Sequence, residues 1–128
     1  MKKLLIIALI LLLPACAILN PPKFDNAEYS KIVNIRMLTE DGVKQCKTVD
    51  GQILLSGLLQ TKISWLAAYA EFRPNNKQTQ IMLRTFKLEA DGFVARATDG
   101  NEVYCQLKLE NMHNQSIIIQ RAFGTKRN

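Results

Sequence analysis

The sequence contains few of the residues from which metal sites and catalytic sites are usually built. Its 128 residues include one histidine, one tryptophan and three widely spaced cysteines. A zinc module of the common kinds takes four Cys or His ligands at short spacings, so the sequence predicts neither a metal site nor a cofactor. The motifs G-x-S-x-G and H-E-x-x-H and a Gly-rich phosphate-binding loop are also missing. Because common hydrolase and nucleotide-binding classes depend on these motifs, we expect a protein that is not an enzyme.

The composition is that of one small folded domain. Apolar residues make up 48% of the chain and charged residues 22%, values that argue against long disordered or low-complexity segments. The length suits a single domain. The formal net charge of +6 favours acidic partners.

The N-terminus has the order of a secretory signal peptide. Lys2 and Lys3 precede an uncharged apolar run over residues 4–13, and small residues follow from Pro14. A membrane-spanning anchor is the alternative. The 16 residues from 4 to 19 would extend about 24 Å as a helix, short of the roughly 30 Å hydrocarbon layer. We therefore predict a signal peptide over residues 1–15 and export from the cytosol, which excludes nucleic acid as a natural partner.

The segment Leu13-Pro14-Ala15-Cys16 resembles the lipobox of bacterial lipoproteins. The resemblance implies that Cys16 carries a diacylglyceryl group and begins the mature chain as an acylated residue. Pro14 departs from the usual pattern of that family. The rival is an ordinary signal-peptidase site, Ala15-Cys16-Ala17, which would release a soluble periplasmic chain beginning at Ile18.

Lipidation would hold the protein at a membrane, because two or more acyl chains anchor a protein stably. Ala17, rather than Asp, follows the cysteine, and in bacterial lipoproteins this implies the periplasmic face of the outer membrane. Residues 16–24, with Pro21-Pro22, are then a short tether, and residues 25–128 form one domain. The expected partners are the membrane, an envelope protein or an anionic envelope polymer.

The two remaining cysteines, Cys46 and Cys105, form an even pair. Exported proteins fold in an oxidising compartment, so we predict a disulfide between them. Two buried, reduced thiols are the alternative.

Hydrophobic periodicity predicts an all-α fold, a bundle of three or four helices stapled by one disulfide. The clearest stripe is that of the last helix, with spacings of four and three: Cys105, Leu109, Met112, Ser116, Ile119 and Phe123. A second helix is expected from about Gln52 to Phe72, with Leu55, Leu59, Ile63, Leu66 and Ala70 on one face. A third begins after Asn75 or Asn76 and aligns Met82, Phe86, Ala90 and Phe93.

The first helix, from about Asn26 to Glu40, has a weaker pattern, which Tyr29, Ile32, Val33, Arg36 and Met37 fit and Ile35 does not. For the last helix we expect a capping box of Asp99 and Glu102 and a terminal glycine at Gly124. Asp-Gly occurs four times and is a hairpin signal, so a small α+β domain is the alternative fold.

Few side chains are candidates for function. Trp65, Tyr69 and Phe72 are spaced as neighbours on one helix, and we interpret them as core, with a partner-binding anchor as the alternative. Arg121, Lys126 and Arg127 form a basic tail, interpreted as solvated, with contact to anionic lipid or polymer as the alternative. The lone histidine, His113, is expected on the surface. No spacing places two carboxylates across a cleft among Glu71, Glu89, Asp91, Glu102 and Glu110.

The segment Tyr104-Cys105-Gln106-Leu107-Lys108-Leu109-Glu110-Asn111, with the ending from Gly124 to Arg127, faintly resembles small uncharacterised exported proteins of phages and prophages. That resemblance implies a role in the envelope during infection or lysis. The leading interpretation is a non-enzymatic lipoprotein that acts as a binding or accessory module. The alternatives are a phage envelope effector in lysis or superinfection exclusion and a soluble periplasmic protein, while a cell-wall hydrolase or its inhibitor is disfavoured.

Overall fold

Four α-helices account for most of the residues that the structure describes. In the computed structural model, which describes residues 22–126, they are α1 (Asn26–Asp41), α2 (Val49–Glu71), α3 (Lys77–Arg96) and α4 (Glu102–Gly124). Turns of 3₁₀ helix, Gly42–Lys47 and Ala97–Asp99, follow α1 and α3. The prediction of an all-α bundle is confirmed, and the α+β alternative is wrong. The predicted signal peptide, Cys16 and Arg127 lie outside the described residues.

The helices form an up-down-up-down bundle in which each helix packs against its neighbours in the chain, and α1 also packs against α4. Side-chain contacts fix the antiparallel directions. Thr39, near the end of α1, lies beside His113 in the middle of α4, whereas Tyr29, near the start of α1, accepts a hydrogen bond from Gln120, near the end of α4. The short connections explain this order, because they permit only antiparallel neighbours.

Three of the four predicted stripes lie in the core. All six stripe residues of α4 and all five of α2 are buried, as are Phe86, Ala90 and Phe93 of α3, with Met82 partly buried. For α1 the prediction was wrong. Ile35 is buried and Met37 is exposed, because the buried face follows Glu28, Ile32, Ile35 and Thr39. Two of these four residues, Glu28 and Thr39, are polar. The apolar residues alone therefore predicted a buried face that is rotated by about one residue around the helix.

The helix ends differ from the predicted capping pattern. Asn101, rather than Asp99, is the N-cap of α4, and its side chain accepts a hydrogen bond from the Tyr104 N–H at 2.9 Å. Gly124 is the last residue of α4 and the cap is Thr125, in right-handed conformation. Among the Asp-Gly glycines, only Gly100 has a positive φ.

Gly51 has a different reason to be glycine. It lies in the first turn of α2, where a β-carbon would collide with the Gln45 backbone carbonyl. Because this carbonyl belongs to the turn that carries Cys46, Gly51 lets that turn lie against the start of α2. The Asp-Gly pairs therefore mark no hairpin within residues 22–126.

The predicted disulfide is confirmed. Cys46 in the turn after α1 bonds to Cys105 in the first turn of α4, with 5.5 Å between their α-carbons. Both cysteines are fully buried. The Gln52 side chain donates a hydrogen bond to the Cys46 carbonyl at 2.7 Å and fixes the turn onto α2. At this end of the bundle the disulfide joins the turn after α1 to α4, and a hydrogen bond adds α2.

The observed cap leads to a stability prediction. We expect Asn101→Ala to lower the free energy of unfolding by about 1 kcal/mol, because the Tyr104 N–H loses its acceptor. Asp99→Ala should change it by less than about 0.5 kcal/mol, since Asp99 is exposed and its side chain pairs with the exposed Arg96. Urea unfolding followed by far-UV circular dichroism measures both. Equal losses, or a larger loss for Asp99→Ala, would contradict the assignment of the cap.

Candidate binding surface

The predicted aromatic cluster, formed by Trp65 and Tyr69 of α2 and by Phe72 at its C-cap, is exposed or half-buried. The rings of Trp65 and Tyr69 stack with centroids 5.3 Å apart and planes 8° from parallel. The Lys31 ammonium of α1 lies 3.5 Å from the centre of the Trp65 ring, a cation–π contact. Trp65 is 47% exposed and Phe72 is 90% exposed. The prediction that this cluster is core was therefore wrong.

The reason is that α2 is apolar on two faces. Its buried stripe, from Leu55 to Ala70, already fills the core, and the aromatic residues lie on other faces of the same helix. When a helix has apolar residues on most sides, hydrophobic periodicity does not identify which face is buried. The partner-binding interpretation of Trp65 and Tyr69 stays a prediction.

A groove of about 250 Å³ opens between α1 and α2 next to the Trp65 ring. Its lining includes Lys31, Asn34, Thr61 and Lys62 and no carboxylate. Two ammonium groups, an amide, a hydroxyl and an aromatic face suit a ligand that carries negative charge and polar groups. The groove places these groups beside the predicted aromatic anchor, Trp65.

Lys126 lies in a different environment from the one predicted. Its ammonium is 2.8 Å from the Glu28 carboxylate and 2.9 Å from the Asn76 side-chain oxygen. Asn76 in turn donates to Glu28 at 2.9 Å and to the Ala70 carbonyl at 3.2 Å. The side chain of Lys126 is 5% exposed and that of Glu28 is fully buried. The interpretation of Lys126 as part of a solvated basic tail was wrong.

We call Glu28, Asn76 and Lys126 the buried polar cluster. It joins the start of α1, the residue before α3 and the residue that follows the α4 cap, while the Ala70 carbonyl adds α2. Each ion has its opposite charge and a further hydrogen bond, the condition under which buried charges are tolerated. The cluster therefore ties the end of the bundle opposite to the disulfide.

Asp25 completes this end of the bundle. Its carboxylate caps α1 through the Glu28 N–H, accepts a hydrogen bond from the Tyr69 hydroxyl at 3.0 Å and pairs with Arg73. Partial burial alone would raise the pKa of Asp25. The two hydrogen bonds and the Arg73 guanidinium outweigh burial and hold that pKa below its ordinary value. The hydrogen bond to this carboxylate raises the pKa of Tyr69.

The other candidate residues are not brought together. Arg121 is exposed on α4. We expected His113 on the surface; it is half-buried there, with its Nδ1 3.3 Å from the Thr39 hydroxyl. Most of the candidate carboxylates have local partners, as in the pairs Glu71–Arg84, Glu89–Lys108, Asp91–Lys87 and Glu102–Gln106.

Sequence reasoning missed Glu28 and Asn76. The signal for Glu28 was the spacing of four and three that it shares with Ile32, Ile35 and Thr39. A search for apolar stripes passes over acidic residues, although a carboxylate can be fully buried when it is paired with an opposite charge. For Lys126 the sequence carries no such signal, because its burial depends on how the chain turns after α4.

Comparison with known proteins finds no match for the chain: no family model, curated protein or solved structure is significantly similar to it. Within residues 22–126, no helix combines the length and apolar character needed to cross a bilayer. Over the same range, no three His, Cys, Asp or Glu side chains are grouped closely enough to hold a metal ion.

The buried polar cluster leads to a prediction with an internal control. Lys126→Met should lower the free energy of unfolding by about 3 kcal/mol, because it leaves the Glu28 carboxylate buried without its counter-charge. Adding Glu28→Gln should recover part of that loss, since the neutral amide can still pair with Asn76. Arg121→Met, at an exposed basic residue near the end of α4, should cost less than about 0.5 kcal/mol. Urea unfolding compares the variants, and equal losses for Lys126→Met and Arg121→Met would refute the cluster's role.

Proposed function

We propose that this protein is an exported bacterial lipoprotein without catalytic activity, anchored through Cys16 to the periplasmic face of the outer membrane. Its helical domain acts there as a binding or accessory module. The observation that carries the proposal is the buried bond between Cys46 and Cys105, combined with the lipobox-like segment that ends at Cys16.

The disulfide bears on the compartment. Structural disulfides form and persist in oxidising compartments and are rare in the cytosol, where thiols are kept reduced. This buried bond closes a loop between two residues that are 59 positions apart in the sequence. Closing such a loop constrains the unfolded chain by roughly 4 kcal/mol in the loop-entropy estimate. A domain that depends on this bond benefits from export, and residues 1–15 have the composition of the segment that would direct it.

The start of the domain suits a short tether. Arg73 donates a hydrogen bond to the Lys23 carbonyl at 2.6 Å and pairs with Asp25, while the Phe24 and Tyr29 rings are 5.7 Å apart. The chain is thus fixed to the bundle from residue 23 onward. Six residue steps separate Pro22 from Cys16, which span at most about 20 Å when extended. Lipidation at Cys16 would hold this end of the bundle within that distance of the bilayer.

The groove beside Trp65 supports binding as the role of the domain. Lys31 and Lys62 supply positive charge, and the indole supplies a flat apolar face. Envelope polymers and membrane surfaces are commonly anionic, so these groups favour contact with them or with an acidic patch of an envelope protein. The partner is therefore an anionic polymer, a membrane surface or an acidic protein patch of the envelope, and the lipid anchor would hold the domain close to it.

Fractionation of cells that express the full chain tests the anchor. The wild-type protein should enter the membrane fraction, and Cys16→Ala should leave it, because the acylated residue is lost. Ala17→Asp should keep the protein on membranes but move it toward the inner membrane in a density gradient. Wild-type protein that is soluble in the periplasm would support cleavage after Ala17 instead, and a Cys16→Ala variant that stays membrane-bound would refute lipid anchoring.

A further inference from the structure

A groove runs between α3 and α4, on the opposite side of the four-helix ring from the groove beside Trp65. We call it the α3–α4 groove. Its middle section has a volume of about 300 Å³ and mostly aliphatic walls, formed by Ile81, Met82, Thr85, Gln115, Ile118 and Ile119. Ile81 is 49% exposed and Ile118 is 62% exposed. Covering these two side chains would remove apolar surface from water, which is favourable.

The α3–α4 groove continues to the point where the described part of the chain begins. A second section of about 310 Å³ shares Met82 with the middle section. Pro22, Thr79 and Ala122 are among the residues that line it. Because Pro22 is the first described residue, the residues that precede it enter the domain beside the groove.

The residues before Pro22 have chemistry that suits an apolar groove. Ile18 and Leu19 are apolar, and Asn20 and Pro21 follow them. Asn20 and Pro21 each precede a proline, which favours extended or polyproline backbone. A polyproline helix has three residues per turn and rises about 3.1 Å per residue. In that conformation Leu19 shares a face with Pro22 and lies about 9 Å from it along the chain.

The length of the groove matches this distance. Thr79 lines the section at Pro22, and Thr85 lines the middle section. The six helical steps between them cover about 9 Å. On the C-terminal side, Lys126 is held in the buried polar cluster, and the next residues are polar. The N-terminal segment is therefore the better occupant.

We propose that residues 19–22 lie along the α3–α4 groove, with the Leu19 side chain packed against Ile118. The occupant is thus a segment of the same chain, the part of the tether next to the domain. Pro21 and Pro22 have fixed φ angles, so holding them in place costs little conformational freedom. Since only three residue steps join Leu19 to Pro22, the local concentration of the leucine at the groove is about millimolar or higher.

Docking of Leu19 does not depend on lipidation, because both processing sites considered above leave Leu19 in the mature chain. Its consequence for orientation does rest on the proposed function. If Cys16 carries the lipid, three residue steps separate it from Leu19, at most about 10 Å. The side of the bundle formed by α3 and α4 then lies against the bilayer. The groove beside Trp65 lies on the other side and faces the periplasm, where an envelope partner can reach it.

Thiol labelling tests whether Leu19 covers the groove. The full chain with Cys16→Ala carries no lipid, and its two remaining cysteines form the disulfide. Its mass shows that Ile18 and Leu19 are present. With Ile118→Cys added, the new thiol should react with a maleimide at least fivefold faster after Leu19→Asp than before it. Ile18→Asp should change the rate less than twofold, because Ile18 lies on a different face of a polyproline turn.

Leu107→Cys provides the matched control site. Leu107 is 61% exposed on α4 and precedes Ile118 by 11 residues, a distance of about 16 Å along the helix. It lies outside the groove, so neither substitution before Pro22 should change its labelling rate. Docking is overturned if the thiol at position 118 reacts as fast as the one at position 107 while Leu19 is present. Equal effects of Leu19→Asp and Ile18→Asp would also overturn it.

Disulfide trapping measures the same contact independently. In the Cys16→Ala chain, oxidation should join Leu19→Cys to Ile118→Cys at least tenfold faster than it joins Ile18→Cys to Ile118→Cys. Peptide mapping by mass spectrometry identifies the new bond. Positions 18 and 19 are at nearly the same distance along the chain from Pro22. A segment that moves freely would therefore give equal rates and contradict docking.

Other occupants of the groove give different results in the labelling assay. If Leu19 covers Ile118→Cys, the protection is independent of protein concentration. Protection that grows with concentration and survives Leu19→Asp would assign the groove to a second copy. Protection that appears only with phosphatidylglycerol vesicles would assign it to a bilayer. Either result would overturn the proposal. Because every measurement uses Cys16→Ala, a failure of lipidation at Cys16 would not change these outcomes.

Discussion

The disulfide between Cys46 and Cys105 sets how the helices are joined at one end of the bundle. It joins the turn after α1 to the first turn of α4, two segments that are 59 residues apart in the chain. Because α1 and α4 are also neighbours in the bundle, this single bond closes the ring of four helices at one end. It connects fold and function as well, since an oxidising compartment is the natural place for it.

The two ends of the bundle are held by different chemistry. Opposite to the disulfide, Glu28, Asn76 and Lys126 join the helices through charge and hydrogen bonds, and Asp25 with Arg73 fixes the start of the domain. The disulfide holds its end of the bundle whether or not water reaches it. The buried ion pair of Glu28 and Lys126 stabilises the other end only while both charged partners are present. The end nearest the proposed tether is thus the one whose stability depends on complete pairing.

Periodicity predicted the architecture well where burial and apolarity coincide, as along α4 from Cys105 to Phe123. Periodicity failed where the buried face of a helix is not its most apolar face. In α1 the buried face includes Glu28, and in α2 the aromatic residues lie outside a core that is already filled. Lys126 owes its burial to partners that are distant in the chain, a tertiary relation that no local pattern records. The disulfide was predictable, since two cysteines allow one pairing, but the groove beside Trp65 required knowledge of which helix lies next to α2.

The mass of the intact protein from the membrane fraction tests lipid anchoring and the disulfide in one measurement. We expect a chain that begins at Cys16, carries the mass of its acyl groups and is lighter by two hydrogens because of one disulfide. Reduction should restore the two hydrogens and leave the acyl mass in place. A cytosolic protein that retains residues 1–15 and has three free thiols would contradict the account.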